Sequence, residues 1–138
     1  MGAKIEGLEK LRAKLKAMPE AVKAEVEGVL IASAEEVAAT ARALAPVDDG
    51  DLKDSIKVTG PGGRTPLHSS GGAQSVGDLK AVVTAGNSST RYAAVVEFGH
   101  GNAAPRPFFW PAYRSKKKRI KSRIARAIGK AVKKIWSS

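Results

Sequence analysis

Residues 92–114 read YAAVVEFGHGNAAPRPFFWPAYR, and the fold turns on this stretch. An apolar run closes on Glu97-Phe98-Gly99. A loop of small residues follows, and Pro107-Phe108-Phe109-Trp110-Pro111-Ala112 then leads into a strongly basic helix. Six of the seven aromatic residues fall inside the stretch: Tyr92, Phe98, Phe108, Phe109, Trp110 and Tyr113. Aromatic rings bury large areas and favour defined contacts. Gathered around a Gly/Pro loop, they predict a fixed corner of a fold or an assembly contact rather than a catalytic pocket.

Upstream of this corner the periodicity is helical. Ile5, Leu8, Leu11, Leu15 and Met18 recur at steps of three and four, the stripe of a short amphipathic helix. Pro19 fits the first turn of a second helix, where its missing N–H is harmless. Val22, Val26, Val29, Leu30, Val37 and Leu44 carry that helix, through many alanines, to about Ala43. Pro46 and Gly50 end it. Leu52–Thr59 reads as a turn leading into a strand, with Ile56 and Val58 on one face. Gly60–Gly77 holds six glycines and two prolines, which predicts a long mobile loop. Leu79–Ala85 reads as a second strand, and Gly86–Ser89 as a turn. Ala93–Phe98 is too short for its period to separate strand from helical turn. Downstream, Ile120, Ile124, Ile128, Val132, Ile135 and Trp136 mark the apolar stripe of a last helix. The expected fold is α+β: two N-terminal helices, a small and mostly antiparallel sheet, and a basic C-terminal helix.

At 138 residues the chain fits one domain, 1–138, with 60–77 as its flexible loop. It has no cysteine, so neither disulfides nor thiolate metal sites are open to it. No apolar run approaches the ~20 residues that span a bilayer, and MGAKIEGLEK lacks an apolar signal region. A soluble protein made in the cytoplasm is expected. The net charge is +11, and its distribution is uneven. All 13 acidic residues lie at or before Glu97, whereas residues 98–138 carry 12 Lys/Arg and no acid. An anionic partner or a solvated basic face would each account for that asymmetry.

Catalytic signals are weak. His68 and His100 are the only imidazoles, and nothing at suitable spacing completes a zinc site. Asp48, Asp49 and Asp51 cluster around Gly50 without the spacing of a calcium loop, so capping of a turn is the better reading. Neither a nucleophile elbow nor a phosphate-binding loop occurs. Glu97 is the one acid in its apolar run. An acid/base role is open to it, but an ion pair with Arg91 or Arg106, or hydrogen bonds to backbone, suits a lone carboxylate better. No enzyme activity, metal or cofactor is expected.

Two segments together resemble a family of small neck or tail-completion proteins from long-tailed double-stranded DNA phages and prophages. The first is Ala45-Pro46-Val47-Asp48-Asp49-Gly50-Asp51-Leu52-Lys53-Asp54-Ser55-Ile56, similar to A-P-x-D-T-G-x-L-x-x-S-I. The second is Tyr92-Ala93-x-x-Val96-Glu97-Phe98-Gly99, then Pro107-Phe108 and Pro111-Ala112, similar to Y-A-x-x-V-E-F-G-T…P-F-L-R-P-A. Asp49, His100 and Trp110 depart from that pattern, the last placing a large apolar surface where Arg is common.

The resemblance implies a structural virion protein at the head–tail junction, either joining head and tail or capping the head-proximal end of the tail tube. It implies assembly as a ring, commonly hexameric, against connector and tail tube proteins, after synthesis in the host cytoplasm. In that reading Asp48, Gly50 and Leu52 shape a turn. Tyr92, Glu97, Phe98 and Gly99 set the corner, and Pro107, Phe108, Trp110 and Pro111 fix the approach to the last helix. The alternative is a basic nucleic-acid-binding protein, with Lys116, Lys117, Lys118, Arg119, Lys121, Arg123 and Arg126 meeting phosphates. A membrane-surface role for the basic helix ranks below both.

Overall fold

A computed structural model describes residues 19–46, 51–69, 72–87, 93–99, 101 and 104–137. The Ile5–Met18 stripe, Asp48, Asp49, Gly50, Arg91, Tyr92 and His100 lie outside the described residues.

Helix α1 spans Glu20–Leu44. Pro19 stands one position ahead of it, at the cap, and its carbonyl accepts the N–H groups of Val22 and Lys23 at 3.0 Å. Glu20 in the first turn and Arg42 in the last complement the helix dipole. The buried stripe is Val26, Ser33, Ala34, Val37, Ala38 and Ala41, mostly small residues that allow a neighbouring helix to come close. Ala45 is extended, as a residue before proline prefers to be, and the helix stops there.

A short helix α2, Asp51–Asp54, stands where a turn is expected. Strands β1, Lys57–Thr59, and β2, Val82–Thr84, pair antiparallel with Val58 opposite Val83. The second strand is shorter than the sequence suggests. Leu79 sits at φ 55°, a left-handed backbone that ends extended pairing, and its side chain joins Val26 and Ala131 in a satellite cluster. Its N–H donates to Glu27 Oε1 at 3.2 Å.

Within the stretch 60–77, expected as a long mobile loop, the described residues 60–69 and 72–77 pair across it. Gly62 N–H donates to the Val76 carbonyl at 2.9 Å, Val76 N–H to that of Gly63 at 2.8 Å, and Thr65 N–H to that of Gln74 at 2.8 Å. Arg64 bridges Ser75, and Thr65 Oγ1 accepts the Gln74 N–H at 2.7 Å. Backbone groups paired with one another leave little gain in exchanging them for water. That is why a glycine-rich arm holds a shape its composition does not advertise.

Helix α3 spans Ala93–Phe98, resolving the short apolar element as helical. Helix α4 spans Phe109–Ser137 and packs along α1. The Phe109–Ala112 segment, expected to precede the basic helix, forms its first turn.

The main core gathers Val37, Ala38 and Ala41 of α1, Leu52 and Ile56 around α2, Ala93 of α3, and Phe108, Ala112 and Ile120. The first sequence motif thus supplies core. Ser55 is fully buried; its Oγ donates to the Leu52 carbonyl at 2.6 Å and accepts the Gly86 N–H at 3.0 Å. Arg42 Nη2 donates to the Ile56 carbonyl at 2.7 Å, holding the same corner to α1.

Candidate functional site

The corner between α3 and α4 is built around Glu97. Gly99 follows α3 at φ 76°, the left-handed turn that glycine adopts without a steric penalty. The Arg106 N–H donates to the Val96 carbonyl at 2.7 Å and closes the loop. The Glu97 carboxylate, 7% exposed, then meets the start of α4. Its Oε1 accepts the N–H groups of Phe108 and Phe109 at 2.9 Å, and its Oε2 that of Trp110 at 3.2 Å.

A helix begins with four N–H groups that have no partner inside it. Here three are taken by one carboxylate, and the fourth position is Pro111, which has none. Glu97 is therefore a helix cap supplied by another helix, with its charge at the positive end of the dipole. Of the roles open to it in the sequence, bonding to backbone is the one the structure displays.

The aromatic residues of the corner divide by direction. Phe108 is 1% exposed and belongs to the core, whereas Phe98 and Trp110 are 67% and 44% exposed. Phe109 lies between them. Edge-to-face contacts run Phe108–Phe109, Phe109–Trp110 and Trp110–Tyr113, with centroids 6.4, 6.4 and 6.0 Å apart. Two apolar clefts open beside this chain of rings. One, of about 230 Å³, lies between the end of β2, Glu97, Phe98 and Trp110. The other, of about 440 Å³, runs between α1, β2 and α4, past Leu30, Val37 and Ile120. Val83, Phe109 and Trp110 line both, so the two form one apolar surface. Thr84 is among the residues lining the smaller cleft, and its Oγ1 is buried with no hydrogen-bond partner. Such a surface can bind an apolar partner.

Residues 9–99 match the family model described as "Bacteriophage HK97-gp10, putative tail-component". The chain belongs to this HK97-gp10-like family. The match covers about two-thirds of the chain and includes both the Leu52–Ile56 core corner and Glu97-Phe98. It ends at Gly99, so Pro107, Phe108, Trp110, Pro111 and the basic helix fall beyond it. No curated protein and no solved structure matches the chain. Among the described residues no helix is long and apolar enough to cross a membrane.

The basic helix that the HK97-gp10-like chain carries beyond the matched segment has two sides. Toward α1, Glu36 gathers Arg123 at 2.7 Å, Arg119 at 3.5 Å and Lys116 at 3.9 Å, and Glu25 pairs with Lys134 at 2.7 Å. Three of the seven cations expected to meet phosphates, Lys116, Arg119 and Arg123, thus pair with Glu36 of α1. Glu36 carries no signal of this in the sequence, because its partners are about 80 to 90 residues away and only helix packing brings them near. Lys117, Lys118, Lys121 and Arg126 stay exposed with no carboxylate partner among the described residues.

The hydrogen bond from Arg123 holds the Glu36 carboxyl below the usual carboxylate range; the charges of Arg119, Arg123 and Lys116 reinforce it, and desolvation opposes it. A carboxyl depressed in the folded state adds stability above its unfolded value and loses it as pH falls through the folded one. Unfolding midpoints should therefore drop on acidification from about pH 5 to pH 3. Glu36→Gln should flatten that limb and leave the midpoint at neutral pH slightly lower. Denaturant titrations across pH give the answer, and an acid limb as steep in the variant as in the wild type would dismiss the Glu36 cluster as its source.

Proposed function

We propose that this HK97-gp10-like chain is a non-catalytic virion component that joins head and tail, or caps the head-proximal end of the tail tube, as a closed ring. The observation that carries this reading is the exposed Phe98–Trp110 pair. Large aromatic residues left in solvent beside an apolar cleft mark contact surfaces, and here they stand on a corner that Glu97 holds in place. A ring needs two different patches per subunit, one meeting the next copy's other. The aromatic corner is one; the 60–77 arm, with Leu67 62% exposed, offers the second. Connector and tail tube proteins then stack on the ring's two faces.

Light scattering across protein concentration, with negative-stain images of the largest species, tests this. The wild type should form a closed multimer. Phe98→Ser with Trp110→Ser should remain a monomer with unchanged circular dichroism and a Tm only modestly lower, because neither side chain belongs to the buried core cluster. Rings formed equally well by the double variant would remove the corner from the interface. A wild type that stays monomeric at all concentrations, alone and with tail tube protein added, would remove the ring.

A further inference from the structure

We propose that the outward strip of α4 formed by Arg114, Lys117, Lys118 and Lys121 binds the phosphate backbone of duplex DNA. This is separate from the assembly contact at the aromatic corner and can fail without it. The four cations recur at steps of three and four, so they share one face within two helical turns, roughly 10 Å of helix. All four are exposed, and none has a carboxylate partner among the described residues. Arg114 makes only a long bond, at 3.5 Å, to the Trp110 carbonyl one turn back.

Like charges three and four residues apart destabilise a helix. This strip contains such pairs at 114/117, 114/118, 117/121 and 118/121. No acid after Glu97 offsets them. The fold alone gains nothing from them, because the cations that fix α4 to α1 point the other way, to Glu36 and Glu25. An external polyanion removes the repulsion.

The rest of the face selects among polyanions. The strip continues through the exposed small residues Ala125 and Gly129, with Arg126 and Lys130 on its flank. Between Pro111 and Lys134 no large apolar side chain is exposed. A lipid surface or a docked helix draws on apolar contact, which on this face is confined to Trp110, one turn ahead of Arg114. A duplex backbone asks for cations alone, and it supplies a phosphate charge about every 1.7 Å of axis.

The test uses the full chain and a labelled 20-base-pair duplex of arbitrary sequence, with anisotropy followed from 50 to 200 mM salt. The wild type should bind at 50 mM salt and weaken steeply as salt rises. The variant R114Q/K117Q/K118Q/K121Q should make the slope of log K against log salt shallower by about 3 to 4, since each neutralised phosphate contributes about 0.9. Its Tm should equal or exceed the wild type's, so weaker binding could not be laid to misfolding. K53Q/K57Q, exposed lysines near the small sheet, should change nothing. The proposal is overturned if the wild type does not bind duplex at 50 mM salt, or if the quadruple variant keeps the wild-type slope. It is overturned equally if polyglutamate of matched charge displaces the duplex on even terms, or if vesicles with anionic lipid bind in preference to it.

Discussion

Glu97→Ala is expected to lower the stability of the folded chain by about 3–5 kcal/mol. The variant strips the acceptor from three backbone N–H groups at once, those of Phe108, Phe109 and Trp110. The Phe108 group is buried and cannot turn to water. An orphaned buried donor costs about 1–3 kcal/mol, and bonds to a charged acceptor sit at the upper end of the usual range. The start of α4 also loses a negative charge, a further few tenths to 1 kcal/mol. Glu97→Gln separates these contributions. It keeps an oxygen for two of the donors and drops the charge, so about 1–2 kcal/mol is expected. Against a total stability of about 5–15 kcal/mol for a domain of this size, the alanine variant is a severe lesion. Denaturant unfolding of both variants measures the difference. A Glu97→Ala protein within about 1 kcal/mol of the wild type would mean that water reaches the corner and that the cap is not a structural keystone.

Much of this corner could be read in the sequence, and the limits of that reading have physical causes. A lone acid in an apolar run announces a buried carboxylate, and the surrounding Gly and Pro announce that it serves a turn. Which donors it takes is not local information, since they come from residues 11 to 13 positions downstream. For the same reason Pro111 reads as an approach to the last helix. A proline inside a first turn is unremarkable only once the other three N–H groups are known to be capped from α3. Helix α1 was legible almost to its ends, because alanine-rich 3.6 periodicity between Pro19 and Pro46 leaves few alternatives. Strand β2 was read too long because Leu79 belongs to a cluster with Val26 and Ala131, and that contact turns the backbone out of the extended region. The pairing within the 60–77 arm was not legible, because composition registers its glycines and not the backbone bonds between them. Charge was legible as an asymmetry between the two ends of the chain. The division of α4's cations into those that clasp Glu36 and those that face solvent required the helix axis to be placed.

The sequence Phe108-Phe109-Trp110 hides its most consequential distinction, and Phe108→Ala exposes it. A loss of about 3–5 kcal/mol is expected. Phe108 is among the largest fully buried side chains, in one cluster with Leu52 and Ile56, themselves 2% and 0% exposed. Truncation removes the ring's burial and leaves a hole between α2, α3 and α4 that three separate elements would have to move to fill. Trp110→Ala, two residues on, should cost less, about 1–2 kcal/mol, because nearly half of the residue is already in water. Its larger deficit should appear in assembly. The two stability lesions at the corner should not add. Phe108→Ala retains the backbone N–H that Glu97 accepts, so each single variant strains the same junction by a different route. Once the start of α4 has been released by Glu97→Ala, Phe108 has less fixed packing left to lose. A double-mutant cycle should therefore show a coupling of about 1–2 kcal/mol, with the double variant less destabilised than the sum of the singles. Strict additivity would separate the cap from the core and contradict the view that one carboxylate positions both the buried ring and the exposed one.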